Sequence, residues 1–312
     1  MAVSGSKDFT ATRADIIEAA LRKIGEYDQG EAISGDETKA AAFALNSMVK
    51  EWVARGIDIW LRDEVTLFLV PNQQSYLLGT ADATRAITGE TTLSAAEATS
   101  QTVISVTSSA GMTAADNVGI KLDDDTIHWT TIVSVDSSVQ ITITTGLASA
   151  ASSGKKVYAY TTKAERPQKI VSAYRRDKND IDTEVSLIGE DEYRSQSNKG
   201  AEGPPVEAWY QPTLTTGTLY VWPVDGGADW DKVVLSVQYA PDDFDTGANT
   251  AQFPVEWINA LVWNLAAELG GEYGIPLRDR QYLDGKAEFK LNELLAYDAE
   301  NADVRFSLDI SK

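Results

Sequence analysis

Residues 202–224 read EGPPVEAWYQPTLTTGTLYVWPV. Two runs, VEAWYQP (206–212) and GTLYVWPV (217–224), meet at the threonine-rich turn TLTTG (213–217). β-Branched and aromatic residues flanking a short turn that contains glycine are the pattern of a β-hairpin. In a strand, neighbours point to opposite sides and residues two apart share a side. Trp209 and Tyr210 are therefore expected on opposite sides, and Tyr220 faces away from Val221. The aromatic residues Trp209, Tyr210, Tyr220 and Trp222 are split over two faces, which suits core packing and cross-strand pairing better than one sugar-binding platform. The stretch reads as scaffold and makes the middle of the chain β-structure.

Further strands extend this hairpin in both directions. DKVVLSVQYAP (231–241) reads as a third strand of the same meander. ERPQKIVSAYRR (165–176) and TEVSLIGEDEY (183–193) precede it, the second running into a short helical turn. Earlier still, EVTLFLV (64–70), the turn PNQQ and SYLL (75–78) read as a strand and its return. Between about Thr80 and Thr162, serine, threonine, alanine and glycine dominate and helical periodicity vanishes. TVISV, VGIKL, IHWTTIVSV, VQITIT and KVYAY alternate there between turn clusters. That spacing predicts a small all-β domain, residues 80–162, inserted into a larger one.

Both chain ends are helical in pattern. After a loose arm over residues 1–11, Thr12 and Asp15 form a capping-box pair. Ile17, Ala20, Leu21 and Ile24 share one face, and Gly25 is a natural stop. Ser34 with Glu37 repeats the box, followed by Ala41, Leu45, Met48, Val49 and Trp52, and Gly56 closes it. Near the other end, Pro254 suits a first helical position. Ile258, Leu261, Val262, Leu265, Ala266 and Leu269 follow as one stripe, stopped by Gly270 and Gly271. Pro276 opens a last helix with Leu283, Ala287, Leu291, Leu294 and Leu295 inward. The expected fold is α+β: a helical bundle built from both chain ends, carrying an antiparallel β-domain with the all-β insert. Its parts are a helical hairpin (12–62), the β-domain (63–79 and 163–250), the insert (80–162), C-terminal helices (251–300) and a terminal strand (301–312). In that strand Val304, Phe306, Leu308 and Ile310 alternate with Arg305, Ser307 and Asp309. Period two marks a strand with one buried face, which either returns to its own sheet or adds to another molecule's.

Composition narrows the chemistry. The 312 residues include no cysteine and one histidine, His128, so disulfides, thiol nucleophiles, cysteine metal sites and ordinary Ser-His-Asp triads are disfavoured. The 47 acidic and 27 basic residues leave a net charge of -20, which repels phosphate and gives no counterion-release drive toward DNA. No apolar run reaches the roughly 18 residues of a membrane span. The start, MAVSGSKDFTATR, lacks an apolar signal core, so a soluble protein made in the cytoplasm is expected. Asp123, Asp124 and Asp125 lack the glycine turn and distal glutamate of a calcium loop and read as a solvated hairpin turn. His128 and Trp129 read as strand residues, and Glu190, Asp191 and Glu192 as acids favoured in a helical first turn. Glu268 and Glu272 sit four apart on a helix, near its end, and fit a carboxylate pair and a solvated face equally. SGK near Lys155 lacks the glycine and helix of a phosphate loop.

Taken together, SMVKEWVARGIDIWLRDEVTLFLVPNQQSYLLG (47–79), ERPQKIVSAYRR (165–176), EYRSQSNKGAEGPPVEAWYQP (192–212), GTLYVWPVDG (217–226) and FPVEWINALVWNLAAELGGEYGIP (253–276) carry a resemblance. The chain resembles the head-to-tail adaptor (connector) proteins of tailed bacteriophages, the group of the tail tubular protein A and packaged-DNA stabilisation protein type. The likeness covers roughly residues 12–79 and 163–312, and the insert departs from the minimal pattern. It implies a structural virion protein without cofactors, forming a ring, usually of twelve copies, between portal and tail. Such a ring extends the channel through which double-stranded DNA passes without specific binding, and it offers a platform to the tail nozzle or tail tube protein. It also implies that the C-terminal segment reaches the portal, which here assigns docking to Val304, Arg305, Phe306, Leu308 and Ile310. Two other classes remain at this level: a carbohydrate-binding or host-attachment protein using the aromatics, and a cell-wall hydrolase using Glu190 or Glu192.

Overall fold

The computed structural model describes residues 9–28, 30–57, 61–79, 84–85, 89–177, 179–226 and 232–297. Along the chain run α1 (Arg13–Ile24), α2 (Gly35–Ala54), β1 (Arg62–Phe68), β2 (Ser75–Leu78), β3 (Thr84–Arg85), β4 (Gly89–Thr92) and β5 (Val103–Ser105). Next come β6 (Asn117–Lys121), β7 (Ile127–Ser137), β8 (Gln140–Ile143), β9 (Lys156–Tyr160), β10 (Lys169–Arg176), β11 (Asp182–Leu187) and α3 (Glu190–Ser195). The last are β12 (Glu207–Pro212), β13 (Gly217–Trp222), β14 (Lys232–Gln238), α4 (Ile258–Gly270) and α5 (Leu277–Tyr297). The chain is thus an α+β protein with helices near both termini and two β-sheets between. It divides into two compact units, one joining residues 1–61 to 240–312 and the other spanning 62–239.

In the helical unit both expected capping boxes form. The Thr12 hydroxyl accepts from Asp15 N at 3.2 Å, and the Asp15 carboxylate accepts from Thr12 N at 2.9 Å. Ser34 and Glu37 repeat the exchange at 3.3 Å in each direction. Each box satisfies donors that the first helical turn leaves without intrahelical partners. Gly25, at φ +85°, takes the left-handed conformation that ends α1. The stripe on α4 is broad, with Ala260, Leu261, Leu265 and Ala266 fully buried, and α4 packs with α1, α2 and α5. A helix apolar around most of its circumference belongs at the centre of a bundle. Two details differ from the periodic reading. Pro254 opens a 3-10 turn, Val255–Trp257, and α4 begins only at Ile258. On α5, Leu283 and Ala287 are buried and Leu291 and Leu294 pack against the core, but Leu295 is 38% exposed, because the stripe outruns the surface available to cover it.

The second unit contains an eight-stranded sheet in the order β2-β13-β12-β11-β10-β14-β1-β3. Two local pairings read from the sequence are corrected here. β14 is not a third strand beside β13; it lies between β10 and β1, paired with β1 from Arg62↔Gln238 to Phe68↔Lys232. β2 does not return along β1; it pairs with β13, Leu78 opposite Gly217 and Ser75 opposite Tyr220. The reason lies in burial. Every residue of β14 except Ser236 is buried, so β14 needs a neighbour on each side and a cover on each face. A seven-residue register with β1 supplies what the short PNQQ turn could not. The sheet is antiparallel except where β11 runs parallel to β12, at Ser186↔Glu207 and Leu187↔Ala208. A parallel pair needs a crossover, and the segment carrying α3 provides it.

The second sheet, in the order β4-β9-β6-β7-β8-β5, closes over its own core of Leu93, Ile104, Val118, Ile120, Ile132, Ile141 and Ile143. Because β3 pairs with β1 in the larger sheet, the smaller one starts at Gly89. Phe68 at the end of β1 joins the two sheets, 5.0 Å from the Trp129 ring and 4.7 Å from Tyr158. Trp129 also meets Tyr160 edge-on at 5.5 Å. Trp129 lies across its register partner Gly119, where an added Cβ would come within 2.4–2.7 Å of the indole. Glycine in a strand interior often marks such a close approach. Gly119→Ala is therefore expected to push Trp129 off Phe68 and to destabilise this unit by about 1–3 kcal/mol, the range for overpacking, as read by urea denaturation. Unchanged stability would show that the indole moves freely.

Candidate interaction surface

The opening hairpin, β12 with β13, sends its aromatics to two faces. On one, Trp209 stacks on its register partner Tyr220, with centroids 4.7 Å apart and planes 14° from parallel. Tyr193 of α3 leans on both rings, at 5.6 Å and 5.2 Å. Arg194 lies 5.8 Å over Trp209, and Lys199 lies 5.3 Å over Tyr193. Trp222 shares this face, and its indole N–H donates to the Asn198 carbonyl at 2.8 Å. Only 8% of Trp209 and 3% of Tyr193 are exposed, so the ring faces are spent on one another and on α3. On the other face Tyr210 crosses Gly217, and its hydroxyl donates to the Pro167 carbonyl at 2.5 Å. Burial pushes the Tyr210 phenol pKa up. Tyr193, which clamps the crossover onto the hairpin, was not singled out from the sequence; its signal was an aromatic residue inside the acidic turn EDEYRS.

The acidic candidates are held by local partners. Asp124 accepts from the Thr126 N–H at 3.1 Å and from its hydroxyl at 2.6 Å, and these bonds lower its pKa. Asp123 accepts from Ser152, and Lys155 reaches Asp125 at 3.4 Å. Asp125 has φ +64°, a turn conformation. His128 is half-buried and donates from Nε2 to the Thr145 carbonyl at 3.1 Å. Glu190, Asp191 and Glu192 form the first turn of α3, with Glu190 bonded to Arg194 at 2.6 Å. Glu268 and Glu272 are exposed. Among the described residues no group of three or more His, Cys, Asp or Glu is placed to hold a metal, and no helix is long and apolar enough to cross a membrane.

Exposed apolar groups single out other places. In the β-rich unit Leu214 stands 95% exposed at the tip of the β12–β13 turn, which bonds between Thr213 and Thr216 hold closed. In the helical unit Phe43 of α2 is 77% exposed, and Tyr282 and Phe289 of α5 are each 58% exposed. A groove of about 370 Å³ runs over Gln281, Tyr282, Gly285, Lys286 and Phe289. Trp263 of α4 meets Tyr282 edge-on at 6.3 Å, and Lys23 of α1 lies 4.0 Å over Trp263. Isolated exposed apolar residues are ordinary, but exposed aromatics grouped on one helix face, as Tyr282 and Phe289 are, belong to the residue types enriched at contact surfaces. The expected docking residues Val304, Arg305, Phe306, Leu308 and Ile310 lie outside the described residues. No protein-family model matches this chain, and no curated protein matches it in sequence.

Proposed function

We propose that this chain is a structural subunit of a tailed-phage virion, an adaptor that joins portal to tail as a homo-oligomeric ring. The observation that carries the reading is the helical core, in which α1 and α2 from one chain end share a single cluster with α4 and α5 from the other, while the β-structure occupies the middle of the sequence. That order of parts is the one the resemblance implies. The net charge of -20 per copy supports it as well, because a ring of twelve would present a charge on the order of -240, and a negative lumen lets DNA slide without sticking. In this reading the partners are the portal protein, the tail nozzle or tail tube protein and further copies of the chain, with no cofactor and no catalytic step. The segment Val304–Ile310 docks on the portal by adding its alternating apolar face to the neighbour.

Electron microscopy of the protein mixed with portal rings from the same virion tests this. Full-length chain is expected to add a ring under the portal. A chain lacking residues 302–312 is expected to keep its circular dichroism and unfolding midpoint yet leave portals bare. A truncated chain that joins portals as well as the full-length one sinks the docking assignment. A full-length chain that never joins sinks the adaptor reading.

A further inference from the structure

On α5, Tyr282, Gly285, Lys286 and Phe289 recur at helical spacing and form one stripe, while Leu283 and Ala287 are buried on the other side. Both rings are largely exposed, and Gly285 floors the groove between them, where an added Cβ would meet nothing within 4 Å. A helix rises about 1.5 Å per residue, so the two ring-bearing positions stand about 10 Å apart along its axis. A third ring seated over Gly285 would lie about 5 Å from each, inside the spacing of about 4.5–7 Å that aromatic pairs favour. A cavity of about 150 Å³ is enough for a benzene ring, and this groove offers about 370 Å³. Its shape therefore fits an inserted aromatic side chain.

α5 runs to Tyr297, and the residues after it lie outside the described ones. Their sequence holds one aromatic, Phe306, in the alternating row Val304, Phe306, Leu308 and Ile310. An extended chain covers about 3.3 Å per residue, so Phe306 can return about 30 Å from the end of α5. Gly285 lies only about 18 Å back along the axis from Tyr297, which leaves length for the reversal and for crossing to the stripe. Charge does not choose the occupant, because Lys290 is already paired with Glu293 at 2.7 Å. The covalent connection does. A tether of a few residues gives an effective concentration on the order of millimolar, about a thousandfold above that of a separate chain at micromolar concentration. We infer that segment 304–310 folds back antiparallel to α5 of its own chain and seats Phe306 over Gly285, between Tyr282 and Phe289. Val304 then falls on the Phe289 side and Leu308 on the Tyr282 side. The row that docks on the portal in the adaptor reading is thereby covered in the free chain and is released when a portal displaces it. The contact stands without that reading, and only the release rests on it.

The chain has no cysteine, so a pair can be placed cleanly. Gln281→Cys beside Tyr282 and Ser307→Cys beside Phe306 are combined in one chain and treated with a short bis-maleimide, and the linked peptides are read by mass spectrometry. The double variant is expected to give a linked monomer at a yield that does not change on dilution. A mixture of the two single variants is expected to give no linked dimer. Phe306→Ala in the double variant is expected to cut the yield about tenfold, and Phe306→Tyr to keep it. Gly285→Leu fills the groove while favouring the helix, and it is expected to cut the yield as far with circular dichroism unchanged. No link, a link only between chains, or one indifferent to Phe306→Ala and Gly285→Leu overturns the inference. Portal rings are expected to suppress the link in the chains they capture, and a link that persists there overturns the release. A chain that links within itself but never joins portals overturns the adaptor reading and leaves the contact standing.

Discussion

Glu90→Ala is expected to destabilise the β-rich unit by up to about 3–5 kcal/mol, the range for leaving a buried charge without its close partner, because the Lys232 side chain is 3% exposed although that of Glu90 is 27% exposed. Glu90 of β4 bonds Lys232 of β14 at 2.7 Å and Lys156 of β9 at 2.8 Å, so one carboxylate ties the smaller sheet to the larger. The Lys232 side chain is 3% exposed, lies 5.3 Å over the Tyr158 ring and has Asp180 at 3.9 Å. Without Glu90, the buried ammonium keeps, among the described residues, the more distant Asp180 and the ring. Lys232→Met in the same chain removes that charge and keeps an apolar stem. The double variant is therefore expected to be more stable than Glu90→Ala alone. Urea denaturation, with hydrogen exchange in β4, β9 and β14, measures both. A double variant no better than the single one would show that the ammonium was not the source of the loss.

The pair also sets a pH dependence. Burial pushes the Glu90 pKa up, but the bonds from Lys156 and Lys232 outweigh it and hold the carboxyl below its ordinary value of 4.5. A carboxyl depressed on folding stabilises the folded state fully above its unfolded value, and that contribution is lost as pH falls through the folded value. The stability gap between the wild-type chain and Glu90→Ala is therefore expected to hold near neutrality and to shrink below about pH 4.5. A gap that widens on acidification would refute the assignment.

Trp257→Ala is expected to cost the helical unit a comparable 3–5 kcal/mol, the range for truncating a buried aromatic to alanine. Trp257 is 1% exposed at the entrance to α4, 6.0 Å from Trp52 of α2 and 6.3 Å from Phe253. It lets residues far apart in sequence share one core, and its removal leaves a cavity walled by two aromatic rings. Trp257→Phe keeps much of that volume and is expected to lose less than half as much. Denaturation with hydrogen exchange in α1, α2 and α4 separates the two, and equal losses would show that volume at this site does not matter.

Features that depend on near neighbours could be read directly from the residues. The boxes Thr12–Asp15 and Ser34–Glu37 need only a three-residue spacing, and they form. The α4 stripe and the strand GTLYVW follow from periodicities of 3.6 and 2, and they stand where those periods put them. The alternation that sends Trp209 and Tyr210 apart is likewise local. Beyond the β12–β13 hairpin, which strand lies beside which was not legible, because pairing is won by total burial and register rather than by proximity in the chain. β14 left its neighbour in sequence for β1 and β10, and β2 left β1 for β13. The same holds for the Glu90–Lys232 pair and for the clamp of Tyr193 on Trp209. The amino-acid order alone determined roughly where helices and strands lie, which side of each helix is apolar and how acidic the molecule is. Only the tertiary structure decided the sheet order and left Tyr282, Lys286 and Phe289 uncovered, because burial is a property of the whole packed chain and no short window of sequence contains it.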